Sequence, residues 1–93
     1  MYLVSYDITS DKRRRKIAKE LENYGRRVQY SVFECELDKA RFSQLYKKLV
    51  LLMEGEAEGN IRIYTICVNC IEKLMTIGLP RENYPEDEDL III

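Results

Sequence analysis

Hydrophobic and polar positions alternate at the start of the chain. Leu3, Ser5 and Asp7 fall on one parity and Tyr2, Val4, Tyr6 and Ile8 on the other. A period of two in β-forming residues predicts a strand over residues 2–8. Thr9 or Ser10 then stands where a helix N-cap belongs, with Asp11 suited to the positive end of the helix. Ile17, Ala18, Leu21 and Tyr24 make an apolar helical stripe, and Gly25 has the character of a C′ residue. Residues 26–37 are again β-forming without a clear turn signal. They predict one long bent strand or two short ones meeting near Gln29 to Ser31, where Gln29 and Ser31 serve backbone groups at a bulge.

Asp38 is placed to cap a second helix, whose buried face is Phe42, Leu45, Tyr46, Leu49 and Met53 at helical spacing. Residues 55–60 form a polar connector. Ile61, Ile63, Thr65 and Cys67 alternate with Arg62, Tyr64, Ile66 and Val68 as a further strand, and Ile71 to Gly78 predicts a shorter one, with helix as the alternative. Pro80 and Pro85 bracket an extended linker. The final Leu90-Ile91-Ile92-Ile93 is apolar and preceded by four acids, so it predicts a terminal strand added to a sheet edge, carried by the linker to a partner subunit. This order predicts a single α+β domain, a ferredoxin-like two-layer sandwich with two helices on one antiparallel sheet. Residues 1–79 form the body and residues 80–93 the linker and C-terminal strand. The uncovered sheet face is then free for a dimer interface.

Length changes the picture by limiting the core. A chain of 93 residues buries only about two-thirds of its unfolded surface, so dimerisation is a natural supplement. No apolar stretch approaches the roughly 20 residues of a membrane span, and no basic-then-apolar leader opens the chain; a cytoplasmic protein is expected. The net charge of −1 conceals segregation. Through Arg27 there are eight basic residues against Asp7, Asp11, Glu20 and Glu22, a local net of +4, whereas Glu86-Asp87-Glu88-Asp89 forms an acidic tail. Such asymmetry predicts a basic working surface.

The candidate chemistry lies where the first strand meets that cluster. Asp7 at a strand end can hold a divalent cation, and Lys12-Arg13-Arg14-Arg15-Lys16 beside it can hold phosphate. Helical spacing turns Arg14 toward the sheet, to phosphate or to an ion pair with Asp7 or Asp11, while Lys12, Arg15, Lys16 and Lys19 look outward. The alternative for Asp7 is a carboxylate that caps the loop. For Phe33, Tyr2 and Tyr6 core packing is favoured over base stacking. The absence of histidine excludes imidazole general-base mechanisms, so phosphodiester cleavage by this chain needs metal help.

Cys67-Val68-Asn69-Cys70 has the two-residue gap of zinc and redox sites. Structural zinc takes four ligands, and Cys35 is the one remaining cysteine. A redox role lacks its expected place before a helix. Small buried thiols are the prediction.

Three stretches together resemble one family over nearly the whole chain. They are Tyr6-Asp7-Ile8 ending the first strand, the helix with Arg13-Arg14, Ile17, Leu21 and Gly25, and Arg27-Val28-Gln29-Tyr30-Ser31-Val32-Phe33-Glu34. Ile61-Arg62-Ile63-Tyr64 and the short terminal strand agree. The chain thus resembles the CRISPR-associated protein 2 family. That resemblance implies a homodimer of ferredoxin-like subunits whose terminal strand joins the partner's sheet. It also implies a role in spacer acquisition, in which the dimer bridges subunits of the CRISPR integrase and holds a DNA duplex. Members are described as Mg2+-dependent endonucleases on RNA or DNA, which implies Asp7 as the metal-binding aspartate, shared with the dimer mate. Tyr6, Arg14, Arg27 and Phe33 match motif positions without a defined role.

The expectations that follow are Asp7 catalytic through Mg2+, Tyr6 or Ser31 orienting water or phosphate, and Arg13, Arg14, Arg15, Lys16 and Arg27 binding duplex DNA or single-stranded RNA. A toxin-like stand-alone ribonuclease and a non-enzymatic DNA-holding scaffold are the competing functions.

Overall fold

The computed structural model describes residues 1–56, 58–79, 81 and 84. Its elements are β1 (Tyr2–Asp7), α1 (Asp11–Leu21), β2 (Arg26–Gln29), β3 (Val32–Cys35), α2 (Lys39–Leu52), β4 (Asn60–Thr65) and α3 (Val68–Ile71). The four strands make one sheet in the order β2-β3-β1-β4, with every neighbouring pair antiparallel. This is the ferredoxin-like α+β sandwich that the hydrophobic pattern predicts.

Alternation along β1 decides which face is covered. Val4, Tyr6, Phe33 and Cys35 are buried with Ile17, Ala18 and Leu21 of α1 and Leu45 and Leu49 of α2. Both helices start as the sequence predicts. The Ser10 side chain accepts from the Arg13 amide at 3.3 Å and the Asp38 side chain from the Arg41 amide at 2.8 Å. Each bond satisfies one of the orphan amides of a helix start and contributes about 1 kcal/mol. Residues 26–35 form two short strands meeting at Tyr30 and Ser31, with a register irregularity between Arg27 and Gln29; among the described residues the Gln29 and Ser31 side chains bond to no backbone group there.

Gly25 departs from expectation. The C-cap of α1 is Glu22, and Gly25 does not have positive φ. A Cβ there would lie 2.6 Å from Cys35 Sγ and 2.9 Å from Cys35 Cα. The glycine therefore permits close packing of the α1–β2 turn on β3, not a left-handed helix end.

The C-terminal part departs further. β4 stops at Thr65, and residues 68–71 turn once as α3 in place of continued strand. Met1 and Ile66 close the sheet here: the Met1 amino group donates to Ile66 O at 3.0 Å and the Ile66 amide to Met1 O at 2.8 Å. The strand predicted over residues 71–78 is absent, and the described residues from 72 to 79 lie in no strand or helix. Leu74, Met75, Ile77 and Leu79 are exposed. β propensity is realised against a neighbouring strand, and this segment has none within the described residues. The predicted terminal strand over Leu90–Ile93 and most of the linker lie outside the described residues.

Candidate functional site

Asp7 is the last residue of β1 and is exposed. Its register partner on β4 is Asn60, and Ser5 pairs with Arg62. Directly paired residues share a sheet face. Asp7, Ser5, Asn60, Arg62 and Tyr64 therefore stand together on the face that the helices leave open. Among the described residues the Asp7 carboxylate makes no hydrogen bond or ion pair, and the cap of α1 is Ser10 instead. The loop-capping alternative is thus not what this carboxylate does. Gly59, with φ of +95°, lies against the Asp7 backbone: a Cβ would overlap the Asp7 carbonyl oxygen and reach within 3.1 Å of Ile8 Cα.

The basic cluster divides into two sets. Arg13 crosses to the C-terminus of α2, where its guanidinium donates to the carbonyls of Leu52 and of Glu54 (2.9 Å) and its Nε pairs with Glu56 at 2.9 Å. It supplies donors to carbonyls that a helix end leaves without intrahelical partners. Arg14 donates to Ile8 O at 3.0 Å and pairs with Asp11, pinning the β1–α1 loop as helical spacing suggests. Lys12 and Lys16 are exposed and Arg15 is half-buried, with no ion pair to any of the three among the described residues. Lys12, Arg13, Lys16 and Ser10 line a hollow against Leu51 and Leu52.

Arg27 is further away, on β2. Its guanidinium carbon lies 5.1 Å from the Phe33 ring centre and 4.8 Å from that of Tyr84, an aromatic sandwich. Tyr6 is buried, 6.4 Å centre to centre from Phe33, which fits core packing. Ser31 is half-buried in the β2–β3 turn, and its carbonyl accepts from the Tyr6 amide at 3.1 Å. The structure thus gathers Asp7 with Ser5, Asn60 and Arg62 and engages Arg13, Arg14 and Arg27 in contacts within the chain. Asn60 and Arg62 were not singled out from sequence. Their signal is the alternation Asn60-Ile61-Arg62-Ile63-Tyr64, which becomes informative once β4 is known to pair with β1.

The cysteines also need correction. Cys35 is buried as expected, and burial pushes its thiol up to about 11. Cys67 and Cys70 are exposed, because they bracket the α3 turn beyond the end of the sheet. Among the described residues no three His, Cys, Asp or Glu side chains are gathered for a metal ion. Among the described residues strand pairing puts two carboxylates on the open face, Glu34, which pairs with Arg26 at 3.4 Å, and Asp7, which makes no ion pair.

The fold and this strand-end carboxylate define a small ferredoxin-like protein with an open, polar-edged sheet face. The chain belongs to the CRISPR associated protein Cas2 family, whose model matches residues 1–74. It is 51% identical over 77 residues to the CRISPR-associated endoribonuclease Cas2 1 of Chloroflexus aurantiacus, covering 83% of each chain. The structure of Streptococcus pyogenes Cas2 superposes with a TM-score of 0.71 at 35% identity, covering 83% of this chain and 98% of that one. A chain of a partial Cas6-RT-Cas1–Cas2 complex superposes at 0.73 with 36% identity, covering 89% and 97%. No helix among the described residues is long and apolar enough to cross a membrane.

Proposed function

We propose that this chain is a CRISPR adaptation protein that acts as a homodimer with the Cas1 integrase, holds nucleic acid through its basic surface, and cleaves phosphodiesters weakly with Mg2+ at Asp7. The observation that carries the reading is Asp7 itself: exposed, on the open face, and uncommitted among the described residues. Family membership supports it, as do a relative named as an endoribonuclease and a structural neighbour solved with Cas1.

Magnesium takes one or two carboxylates and completes its shell with waters and phosphate oxygens. Asp7 and the partner subunit's Asp7 fit that requirement across a twofold axis on the open face. Bound there, the ion supplies Lewis-acid polarisation of a phosphoryl oxygen and a more acidic water. The chain's own contribution is to position. Gly59 lets the β4 start press on the Asp7 backbone, Arg62 places a cation on the same face, and the Ser31 carbonyl holds the Tyr6 amide one residue before Asp7. No histidine is present as a proton acceptor, so slow turnover is expected. Lys12, Arg15 and Lys16 supply phosphate contacts, whereas Arg13 and Arg14 act from beneath by fixing the loop and the neighbouring helix end. Exposed Leu74, Met75, Ile77 and Leu79 favour a second subunit that covers them.

The test compares the chain with Asp7→Asn in Mg2+-dependent cleavage of single-stranded RNA and duplex DNA, with duplex binding measured in parallel. Cleavage lost while binding and dimerisation persist supports Asp7 as the metal ligand. Equal cleavage by both proteins removes the metal reading. Duplex binding without cleavage in either leaves the scaffold role, which the Cas1-containing neighbour favours.

A further inference from the structure

The two exposed cysteines play no part in that reading, yet they are arranged as a pair. Cys67 is the N-cap of α3, in extended conformation (φ −73°, ψ 164°), and Cys70 lies one turn on. The Cys70 amide donates to Cys67 O at 3.1 Å, as does that of Ile71. These bonds fix the turn and bring the two sulfurs 3.2 Å apart, in hydrogen-bonding contact. A disulfide needs about 2.05 Å, so the sulfurs are roughly 1.2 Å from bonding distance. Both side chains are exposed, while Cys35, in the core, is out of play.

We propose that Cys67 and Cys70 form a reversible dithiol–disulfide site that exchanges with small disulfides of the glutathione type.

Either thiol can donate to the other while both are protonated. Once Cys67 ionises, Cys70 donates to it, and this bond, followed by the Cys70 backbone amide, holds Cys67 below its ordinary value. The same contact raises Cys70. Cys67 is therefore the attacking sulfur and Cys70 the resolving one. The Cys67 thiolate attacks one sulfur of oxidised glutathione, forming a mixed disulfide and expelling one glutathione thiolate. Cys70 then gives up its proton to solvent and attacks the Cys67 sulfur, releasing the second glutathione. The chain loses two electrons and two protons, and one glutathione disulfide becomes two thiols. A zinc centre is the lesser alternative within one chain, because among the described residues no further ligands gather beside the pair.

The experiment equilibrates the full chain with graded ratios of reduced and oxidised glutathione, then traps free thiols with iodoacetamide for intact-mass and peptide analysis. The expected result is joint loss of two thiols, a linked Cys67–Cys70 peptide, and Cys35 alkylated only after unfolding. Cys70→Ser should stop at Cys67 carrying one glutathione, and Cys67→Ser should likewise stop at Cys70 carrying one, with no intramolecular link in either variant. Independent alkylation of both thiols at every ratio would falsify the proposal. So would disulfides formed only between chains, or stoichiometric zinc that shields the pair until chelated.

Discussion

On the helix-covered side of β1, Val4 and Tyr6 are buried against α1 and α2. On the other side of the same strand Ser5 is half-buried and Asp7 exposed. The covered face gains stability from close packing with Phe33, Ile17, Leu21 and Leu45. The open face places Asp7, Asn60 and Arg62 side by side, and among the described residues the Asp7 carboxylate makes no ion pair there. A carboxylate available to a ligand must not be consumed by the fold, and on β1 parity leaves Asp7 so. The same division runs through the basic cluster, where Arg13 and Arg14 serve the scaffold while Lys12 and Lys16 face solvent.

Breaking the covered face should cost most. Phe33→Ala removes a fully buried ring and is expected to destabilise by about 3–5 kcal/mol in urea unfolding. Gly59→Ala bridges the two faces. It forces a side chain onto a φ of +95° and against the Asp7 carbonyl, with an expected loss of about 1–3 kcal/mol and displaced Asp7 and Ile8 amide resonances. An unchanged spectrum would mean that Gly59 does not set the Asp7 backbone.

The basic cluster supplies the smallest and sharpest contrast. Arg13→Ala is expected to cost about 1–2 kcal/mol, through the lost carbonyl contacts at the end of α2. Lys16→Ala should leave stability within about 0.5 kcal/mol and reduce the salt slope of duplex binding by about one. The reverse pattern, Lys16 mattering for folding and Arg13 for the salt slope, would break the division.

Much of this arrangement was legible in the chain. The periodicities of residues 2–8, 17–24 and 42–53 placed β1, α1 and α2, and Ser10 and Asp38 marked the helix starts. Local pattern carries that information because each element's own residues set it. The engagement of Arg13 was not legible, since its acceptors lie at Leu52 and Glu54, about forty residues on and at the end of another helix. Asn60 and Arg62 were hidden for a related reason: only the pairing of β4 with β1 puts them beside Asp7. The Ile71–Gly78 strand failed because β-forming residues need a neighbouring edge. Cys67 and Cys70 were misjudged as buried because their surroundings depend on where β4 ends.

The parity of β1 also bears on errors made while the chain folds. A slip of one residue against β3 and β4 would turn Asp7 inward and Tyr6 outward together. It would bury an uncompensated carboxylate and expose an aromatic ring in the same step. A chain with Asp7 misplaced would therefore be among the least stable of the alternatives and the first to unfold again. Proofreading of the site comes from the sheet itself.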